Sequence, residues 1–249
     1  MDILAIIGAI IAFSAIILGN ALEGGQLSAL LNGPAFIIVI GGTLGAVCLQ
    51  TPFVQLRRAG RLAGWVLKPP VVDPDNEIDQ FGKWSKTAHR EGVLGLEDIA
   101  DNLDDAFKRK GLELVIDGAE PHHIRRLLEI DSRARVESDL AAASVFRSLG
   151  GYAPTIGILG AVIGLIHVMG NLSNPDELGT GIATAFVATI YGVGFANLLF
   201  LPVADRLKAV VRANSVADDL FIEGIVAIAE GEHPRTIGMR MRGMLGTIG

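Results

Sequence analysis

The sequence predicts an all-α fold: a polytopic membrane protein with four transmembrane helices and a helical cytoplasmic domain. Three observations predict this fold class. Half of the 249 residues are hydrophobic and only 19% are charged, whereas soluble domains carry about 25% charge. The missing charge leaves four long apolar stretches, each close to the ~20 residues that a helix needs to cross a bilayer. Every lysine and arginine lies outside these stretches.

The four apolar stretches also divide the chain. We place the spans at residues 3–21, 34–49, 152–171 and 181–202. The parts are then transmembrane helices 1 and 2 (1–50), a cytoplasmic helical loop (51–150), transmembrane helices 3 and 4 (151–203), and a cytoplasmic amphipathic helix and tail (204–249). The other explanation, four buried helices of a soluble protein, would require an amphipathic stripe that none of the four stretches shows.

Basic residues predict which side of the membrane each part faces. Fifteen of the 21 lysines and arginines lie between Arg57 and Arg147, and the other six lie between Arg206 and Arg242. The two short connectors between spans contain none. Because cytoplasmic loops are enriched in basic residues, the long loop and both termini are predicted to be cytoplasmic.

Apolar residues spaced three and four apart predict helices in the cytoplasmic parts. We expect helices over residues 77–90 and 94–110, a third beginning at Pro121, and an amphipathic helix over 203–229. Gly150, Gly151 and Pro154 are expected to interrupt the third helix where it reaches the membrane. The basic, glycine-rich tail from His233 is expected to be loosely ordered.

Small residues line one face of each of the last two spans. Span 3 carries Gly157, Gly160, Ala161 and Gly164, and span 4 carries Ala185, Ala188, Thr189, Gly192 and Ala196. Small residues at this spacing let membrane helices approach closely. The faces therefore indicate either helix packing alone or surfaces that surround another helix or an ion path.

An ion path needs titratable or coordinating groups at membrane depth. None of the four spans contains Asp or Glu, and the one histidine, His167, lies near the outer end of span 3. A conducting protein of this sequence would therefore need a carboxylate from another subunit. We find no catalytic grouping, and the adjacent His122 and His123 point in different directions from a helix. An enzyme, a cofactor, a metal site and a nucleic-acid partner are not expected.

Six short motifs follow one another along the chain. They are VIGGT at 39–43, GVLGLE at 92–97, LVIDG at 114–118, YAPTIGILG at 152–160, ATIYG at 188–192 and LPVAD at 201–205. Their order and spacing resemble the flagellar motor stator A-subunit family (MotA/PomA), and its shorter, PomA-like branch in particular. The resemblance covers roughly residues 1–235.

This resemblance implies partners and a location. It implies a pentameric ring of A subunits in the lipid of the bacterial inner membrane, around two copies of a single-span B subunit. The B subunit would carry the membrane aspartate and a peptidoglycan-binding domain. The family's two functional prolines correspond to Pro154 and Pro202, where a missing backbone N–H permits bending.

The resemblance also implies contact with the rotor switch-complex protein through a basic residue and a glutamate eight positions apart. Glu97 matches the glutamate, which places His89 in the basic position, with Arg90 beside it. Histidine replaces the family's arginine here, so either His89 or Arg90 is the candidate basic contact.

The coupling ion is inferred from two positions. Sodium-type members have a threonine where this chain has Ala161, while the span 4 threonine is present as Thr189. Hard cations require oxygen ligands, so a lost hydroxyl favours protons over sodium.

Two other functions remain as alternatives. An ExbB/TolQ-like energiser of outer-membrane processes shares the small-residue spans but has one span before its main loop. A non-conducting membrane scaffold would need only close helix packing.

Overall fold

The computed structural model describes residues 3–70, 73–170 and 175–248, with side chains except those of residues 3–6, 9, 175–177 and 245–248. Within these ranges the chain is helical and has no β-strand, which confirms the predicted fold class. It forms two compact units. The first comprises residues up to Pro69 and Ser138–Val210, and the second comprises Pro70–Glu137 and residues from Val211 onward.

The first unit contains the apolar helices. Its elements are α1 (Ile3–Leu22), a 3-10 turn (Leu27–Leu30), α2 (Gly33–Phe36), a π-helical segment (Ile37–Gly41), α3 (Gly42–Gln50), α4 (Phe53–Leu62), a 3-10 turn (Ala63–Val66), part of α8 (Pro121–Gly170), α9 (Pro175–Phe195), a second π-helical segment (Ala196–Phe200) and the start of α10 (Leu201–Ala229).

Three helical segments of the described chain are long and apolar enough to cross a membrane: Leu27–Gln50, Pro121–Gly170 and Leu178–Ala229. They contain the second, third and fourth predicted spans, although the predicted end of span 3 at Asn171 lies outside the described residues. The first span falls in α1, where the described apolar stretch, Ile10–Leu22, is shorter. The count of four spans therefore stays a prediction.

Helix α8 corrects one expectation. It runs unbroken from Pro121 to Gly170 and contains Gly150, Gly151 and Pro154, so the predicted interruption was wrong. A proline inside a helix removes one hydrogen bond and disfavours helix. The residues that follow Pro154 pack closely on a neighbouring helix, and such tertiary packing, rather than propensity, supplies most helical stability.

The second unit is built around a compact aromatic core. Its elements are α5 (Pro74–Glu91), a 3-10 turn (Val93–Leu96), α6 (Glu97–Asp101), α7 (Ala106–Ile116), α11 (Pro234–Ile248) and the remaining parts of α8 and α10. Phe81 is fully buried, and its ring centroid lies 5.0 Å from that of Trp84 and 5.5 Å from that of Phe221. Aromatic pairs at these separations attract one another beyond simple burial.

The predicted helix over residues 94–110 is divided in the structure. Between α6 and α7 the chain leaves the helix, and the Asp105 side chain caps α7 by accepting a hydrogen bond from the backbone N–H of Phe107 at 2.9 Å. The apolar spacing continues across this break, so periodicity alone did not reveal it. An aspartate followed by a helix-forming stretch is a known start signal.

The C-terminal tail is the third correction. Residues after His233 were expected to be loosely ordered, but α11 is a helix from Pro234 to Ile248. Proline is favoured in the first turn of a helix. Ile237 and Met241, four residues apart, are fully buried in the second unit's core. The two side chains fix the helix in place despite its glycines.

Replacing Met241 tests this correction. We expect Met241→Ala to destabilise the second unit by about 2–5 kcal/mol because it empties a fully buried site, and to lower the midpoint of thermal unfolding of the purified protein. Met239, on the same helix, is 63% exposed, so Met239→Ala serves as the matched control with little change. Equal midpoints for the two variants would contradict the buried helix.

Candidate functional site

Helices α8 and α9 approach each other at glycines. A Cβ placed on Gly192 would lie 2.5 Å from the carbonyl oxygen of Ala153, and one placed on Gly157 would lie 2.9 Å from that of Ala188. These are main-chain neighbours, which cannot rotate away as a flexible side chain can. The two helices are therefore in backbone contact, as small-residue spacing permits in membranes.

A second contact of the same kind lies further along both helices. A Cβ on Gly164 would lie 3.0 Å from the carbonyl oxygen of Gly181 and 3.0 Å from the backbone nitrogen of Ala185. One on Gly181 would lie 2.5 Å from Cγ2 of Val168. We call Gly157, Gly164, Gly181 and Gly192 the glycine seam. The structure thus brings together three of the predicted packing glycines, and Gly181 is one that sequence reasoning missed.

The helical segment before the long loop packs against the same pair. A Cβ on Gly160, the fourth predicted packing glycine, would lie 2.9 Å from Cβ of Ala188 and 3.2 Å from Cγ2 of Ile38. One on Gly42 would lie 2.8 Å from Cγ2 of Ile156. All three apolar segments therefore meet around Gly160.

A polar lock joins the start of α2 to α9. The Tyr191 hydroxyl donates to the carbonyl oxygen of Leu30 at 2.6 Å and accepts from the backbone N–H of Asn32 at 3.2 Å. The Asn32 amide donates to Thr184 Oγ1 at 2.9 Å, and its oxygen caps α2 by accepting from the N–H of Ala35. Asn32 escaped sequence reasoning, although Asn before Gly-Pro is a helix-start signal.

The polar lock predicts that removal of the Tyr191 hydroxyl destabilises the protein. Tyr191→Phe leaves the carbonyl oxygen of Leu30 and the N–H of Asn32 without this part-buried partner. We therefore expect the free energy of unfolding to fall by about 1–3 kcal/mol. The control is Tyr152→Phe, which removes one exposed hydrogen bond to Gln50 and should have the smaller effect. Thermal unfolding of the detergent-purified protein measures both, and equal losses would contradict the lock.

The candidate ion-path residues lie on these same helices. Ala161 in α8 and Thr189 in α9 are both half-buried, and Thr189 Oγ1 donates to the carbonyl oxygen of Ala185 at 3.3 Å. Pro154 is half-buried inside α8, next to the glycine seam. Pro202 is exposed and lies two residues after the end of the π-helical segment Ala196–Phe200. Such wide turns are frequent at functional sites, while the roles of the four residues stay predictions.

The opposite sides of α8 and α9 present an apolar surface. Large side chains on it are substantially exposed, for example Ile158 at 58%, Ile166 at 65% and Phe186 at 68%. Many large exposed apolar side chains on long apolar helices mark lipid or protein contact. The glycine seam thus holds the pair together while larger side chains remain for other helices.

The candidate rotor-contact residues lie in the second unit, on either side of a sharp turn. His89 and Arg90 are exposed near the end of α5, Glu97 is exposed at the start of α6, and Gly92 between them has a φ of +79°. Glycine adopts such a φ readily. Within the described part of the chain, neither Arg90 nor Glu97 forms an ion pair.

His89 is the less available of the two basic candidates. One of its ring nitrogens lies 3.2 Å from the carbonyl oxygen of Ser85, and its ring centroid lies 6.0 Å from that of His233. These features favour Arg90 as the basic contact.

Helix α11 carries an arginine with quite different surroundings. Arg240 forms ion pairs with Glu223, with Glu230 at 2.9 Å and with Glu232 at 2.7 Å. Burial alone would lower the pKa of Arg240, but these glutamates raise it further above its ordinary value. Three carboxylates around one guanidinium make Arg240 a structural residue of the second unit.

The chain matches the sequence models of two protein families. The MotA/TolQ/ExbB proton channel family matches residues 99–217, and the Motility protein A N-terminal family matches residues 6–90. The chain is 36% identical to Motility protein A of Bacillus subtilis, over 97% of this chain and 90% of the relative. It is 28% identical to Chemotaxis protein PomA of Vibrio alginolyticus, over 98% and 96%.

Two solved structures share the fold over nearly their whole length. The chain matches the structure of C. jejuni MotAB with a TM-score of 0.90 and 29% identity, covering 98% of this chain and 96% of the other. It matches the flagellar MotAB stator complex from Bacillus subtilis with a TM-score of 0.83 and 36% identity, covering 94% and 92%.

Proposed function

Because this chain belongs to the Motility protein A family, we propose that it is the A subunit of a flagellar stator, which couples ion flow to torque on the rotor. The observation that carries the proposal is the fold, which matches two MotAB structures over at least 92% of each chain. Two apolar segments before the long loop also fit this function better than an ExbB/TolQ-like energiser, and residues 6–90 match the motility-specific family.

The partner that this function needs is a B subunit. Since no predicted span contains Asp or Glu, the titratable group must come from another chain, and we assign it to an aspartate in the single span of the B subunit. A peptidoglycan-binding domain on that subunit would anchor the complex. A ring of five A subunits would then surround two such helices with the apolar surfaces of α8 and α9.

Torque follows from a change of fit at these surfaces. Protonation removes the charge of the B-subunit aspartate, and a neutral carboxyl can lie against apolar side chains that a carboxylate avoids. Alternation between the two states steps the ring around the B helices. Pro154 and Pro202 support the movement because each lacks a backbone N–H and leaves its helix locally easier to bend.

The coupling ion of this proposal is the proton. Thr189 supplies one hydroxyl on α9, and Ala161 supplies none on α8. The Thr189 hydroxyl already donates to the main chain. A sodium ion entering this part of the structure would exchange its hydration shell for few oxygen ligands, which hard cations do not favour.

The location of the protein follows from the distribution of charge. We assign it to the bacterial inner membrane as a multi-pass protein, in contact with lipid, with both termini and residues 51–150 in the cytoplasm. Support comes from the two basic segments, since cytoplasmic loops are rich in Lys and Arg. The second unit then faces the rotor switch-complex protein through Arg90 and Glu97.

Complementation tests the function. The gene for this chain, expressed with its B subunit in a flagellated host that lacks its own stator genes, is expected to restore swimming. The same chain expressed alone should restore none. The purified complex should contain the single-span partner, and replacing the membrane aspartate of that partner by alanine should abolish rotation. Rotation that survives this replacement would refute the proposed coupling.

A further inference from the structure

An open basic groove lies between α5 and α11 in the second unit. Its volume is about 550 Å³. Lys83 and Lys86 line it from α5, and Arg235 and Arg242 line it from α11. Asp79 is the one carboxylate among the lining residues. Four cations against one carboxylate contrast with the chain as a whole, whose net charge is −6.

The four cations are available to a partner. All are exposed, and none forms an ion pair within the part of the chain that the structure describes. Arg240 on the same helix shows the alternative, because it is held by three glutamates. Unpaired like charges that line one groove repel each other, and an anionic partner relieves this repulsion.

The groove is lined by one face of each of two helices, an arrangement that can accommodate a third helix. On α5, Asp79, Gly82, Lys83 and Lys86 follow the i, i+3, i+4, i+7 spacing of one helical face, and on α11 Arg235, Gly238, Met239 and Arg242 do the same. Each face is about 10 Å long at 1.5 Å per residue.

The groove also has an apolar element at its centre. A Cβ on Gly238 would be in ordinary van der Waals contact with Cγ2 of Ile78 on α5, at 3.8 Å. Met239 is 63% exposed in the same groove. A flexible methionine beside glycines, flanked by charge, is suited to receive the apolar face of an amphipathic helix.

The groove lies one helical turn along α5 from the candidate rotor contact. Arg90 follows Lys86 by four residues on α5, so both lie on one face of the helix. The family's arginine is histidine at position 89, which weakens the fixed positive charge at that point. The groove cations supply positive charge on the same helix and extend it to α11.

We propose that the α5–α11 groove is a docking site for an acidic amphipathic helix of the rotor protein, with Lys83, Lys86, Arg235 and Arg242 as its binding residues. This inference rests on the proposed stator function and assigns the rotor contact to a larger surface than residues 89–97. Charge of this kind sets encounter and registration between partners. Engagement with the rotor therefore depends on the groove, whereas assembly in the membrane does not.

A neutralised groove tests the proposal in cells. The variant Lys83→Gln/Lys86→Gln/Arg235→Gln/Arg242→Gln is compared with Arg126→Gln/Arg133→Gln/Lys208→Gln/Arg212→Gln, which loses the same charge elsewhere. We expect the groove variant to reach the membrane and copurify with the B subunit, but to engage at least tenfold fewer stators per motor, counted as speed steps of a bead on the flagellum. The control variant should engage as the wild type does. Normal engagement by the groove variant would overturn the proposal.

Binding measured with purified proteins separates this inference from the proposed function. The probe is the host's purified rotor switch protein, titrated by fluorescence anisotropy onto the detergent-purified A–B complex at low and high salt. Groove neutralisation is expected to weaken binding at least tenfold and to flatten the salt dependence. Unchanged affinity overturns the groove even if the variant accumulates poorly in cells. Failure of the wild-type chain to restore rotation would refute the stator function, while the titration still decides the groove.

Discussion

Gly192→Ala is expected to separate α8 from α9 and to destabilise the protein by about 1–3 kcal/mol, the range for overpacking a close contact. The added Cβ would lie 2.5 Å from the carbonyl oxygen of Ala153 and 3.2 Å from Cα of Pro154. Both neighbours are main-chain atoms, so relief requires movement of a whole helix. For a chain of this size the thermal midpoint should fall by about 2–12 °C, and swimming should be lost with it.

A matched control lies two residues away. A Cβ on Gly194 of the same helix would meet no atom within 4 Å, and alanine is the better helix former by about 1 kcal/mol. Gly194→Ala should therefore leave the thermal midpoint unchanged or raise it slightly. Differential scanning calorimetry of the purified complexes measures the thermal midpoints of both variants. Similar midpoints for the two alanine variants would show that the glycine seam is not a close contact in the assembled protein.

Swimming speed is expected to follow the proton gradient and to fall to zero when a protonophore collapses it, even with a sodium gradient maintained. The reason is that Ala161 carries no hydroxyl, and a hard cation needs more oxygen ligands than a proton does. The measurement is the speed of tethered or swimming cells in which this chain is the only A subunit. Each gradient is varied while the other is held constant.

Changing sodium separately provides the control for the ion prediction. Speed should stay constant as external sodium is replaced by potassium at fixed pH and ionic strength. Speed that tracks sodium instead would show that the missing hydroxyl at Ala161 is compensated by other oxygens, and the coupling ion would be sodium.

Most of the helical architecture was predictable because the signals were long. Three apolar segments of membrane length stand out from composition alone, and proline at Pro121 begins α8 as expected. The errors occurred where local and tertiary effects oppose each other. Pro154 is a helix breaker by propensity, yet α8 passes through it. The glycines of α11 suggested disorder, yet Ile237 and Met241 are anchored in the core.

The residue types of the site were predictable from the sequence, but the contacts between those residues were not. The spacing of Gly157, Gly160 and Gly164 indicates a close helix contact. A single sequence does not say which residues lie opposite, so Gly181 and the Asn32–Tyr191 lock emerged only from the structure. Charge has the same limitation. Arg240 and Arg242 are neighbours in sequence, but one is held by glutamates and the other lines an open groove.

The glycine seam restricts which surfaces of α8 and α9 can move. Most of its contacts join main chain to main chain, and only Gly181 has a side chain, that of Val168, as its nearest neighbour. The seam therefore has few rotamers to exchange, whereas switching interfaces depend on having two arrangements. Helices α8 and α9 should therefore stay in contact along the seam, even where Pro154 allows α8 to bend. Relative movement is then expected at the outer faces of α8 and α9. There, large exposed side chains such as Ile158 and Phe186 can slide against a neighbouring helix.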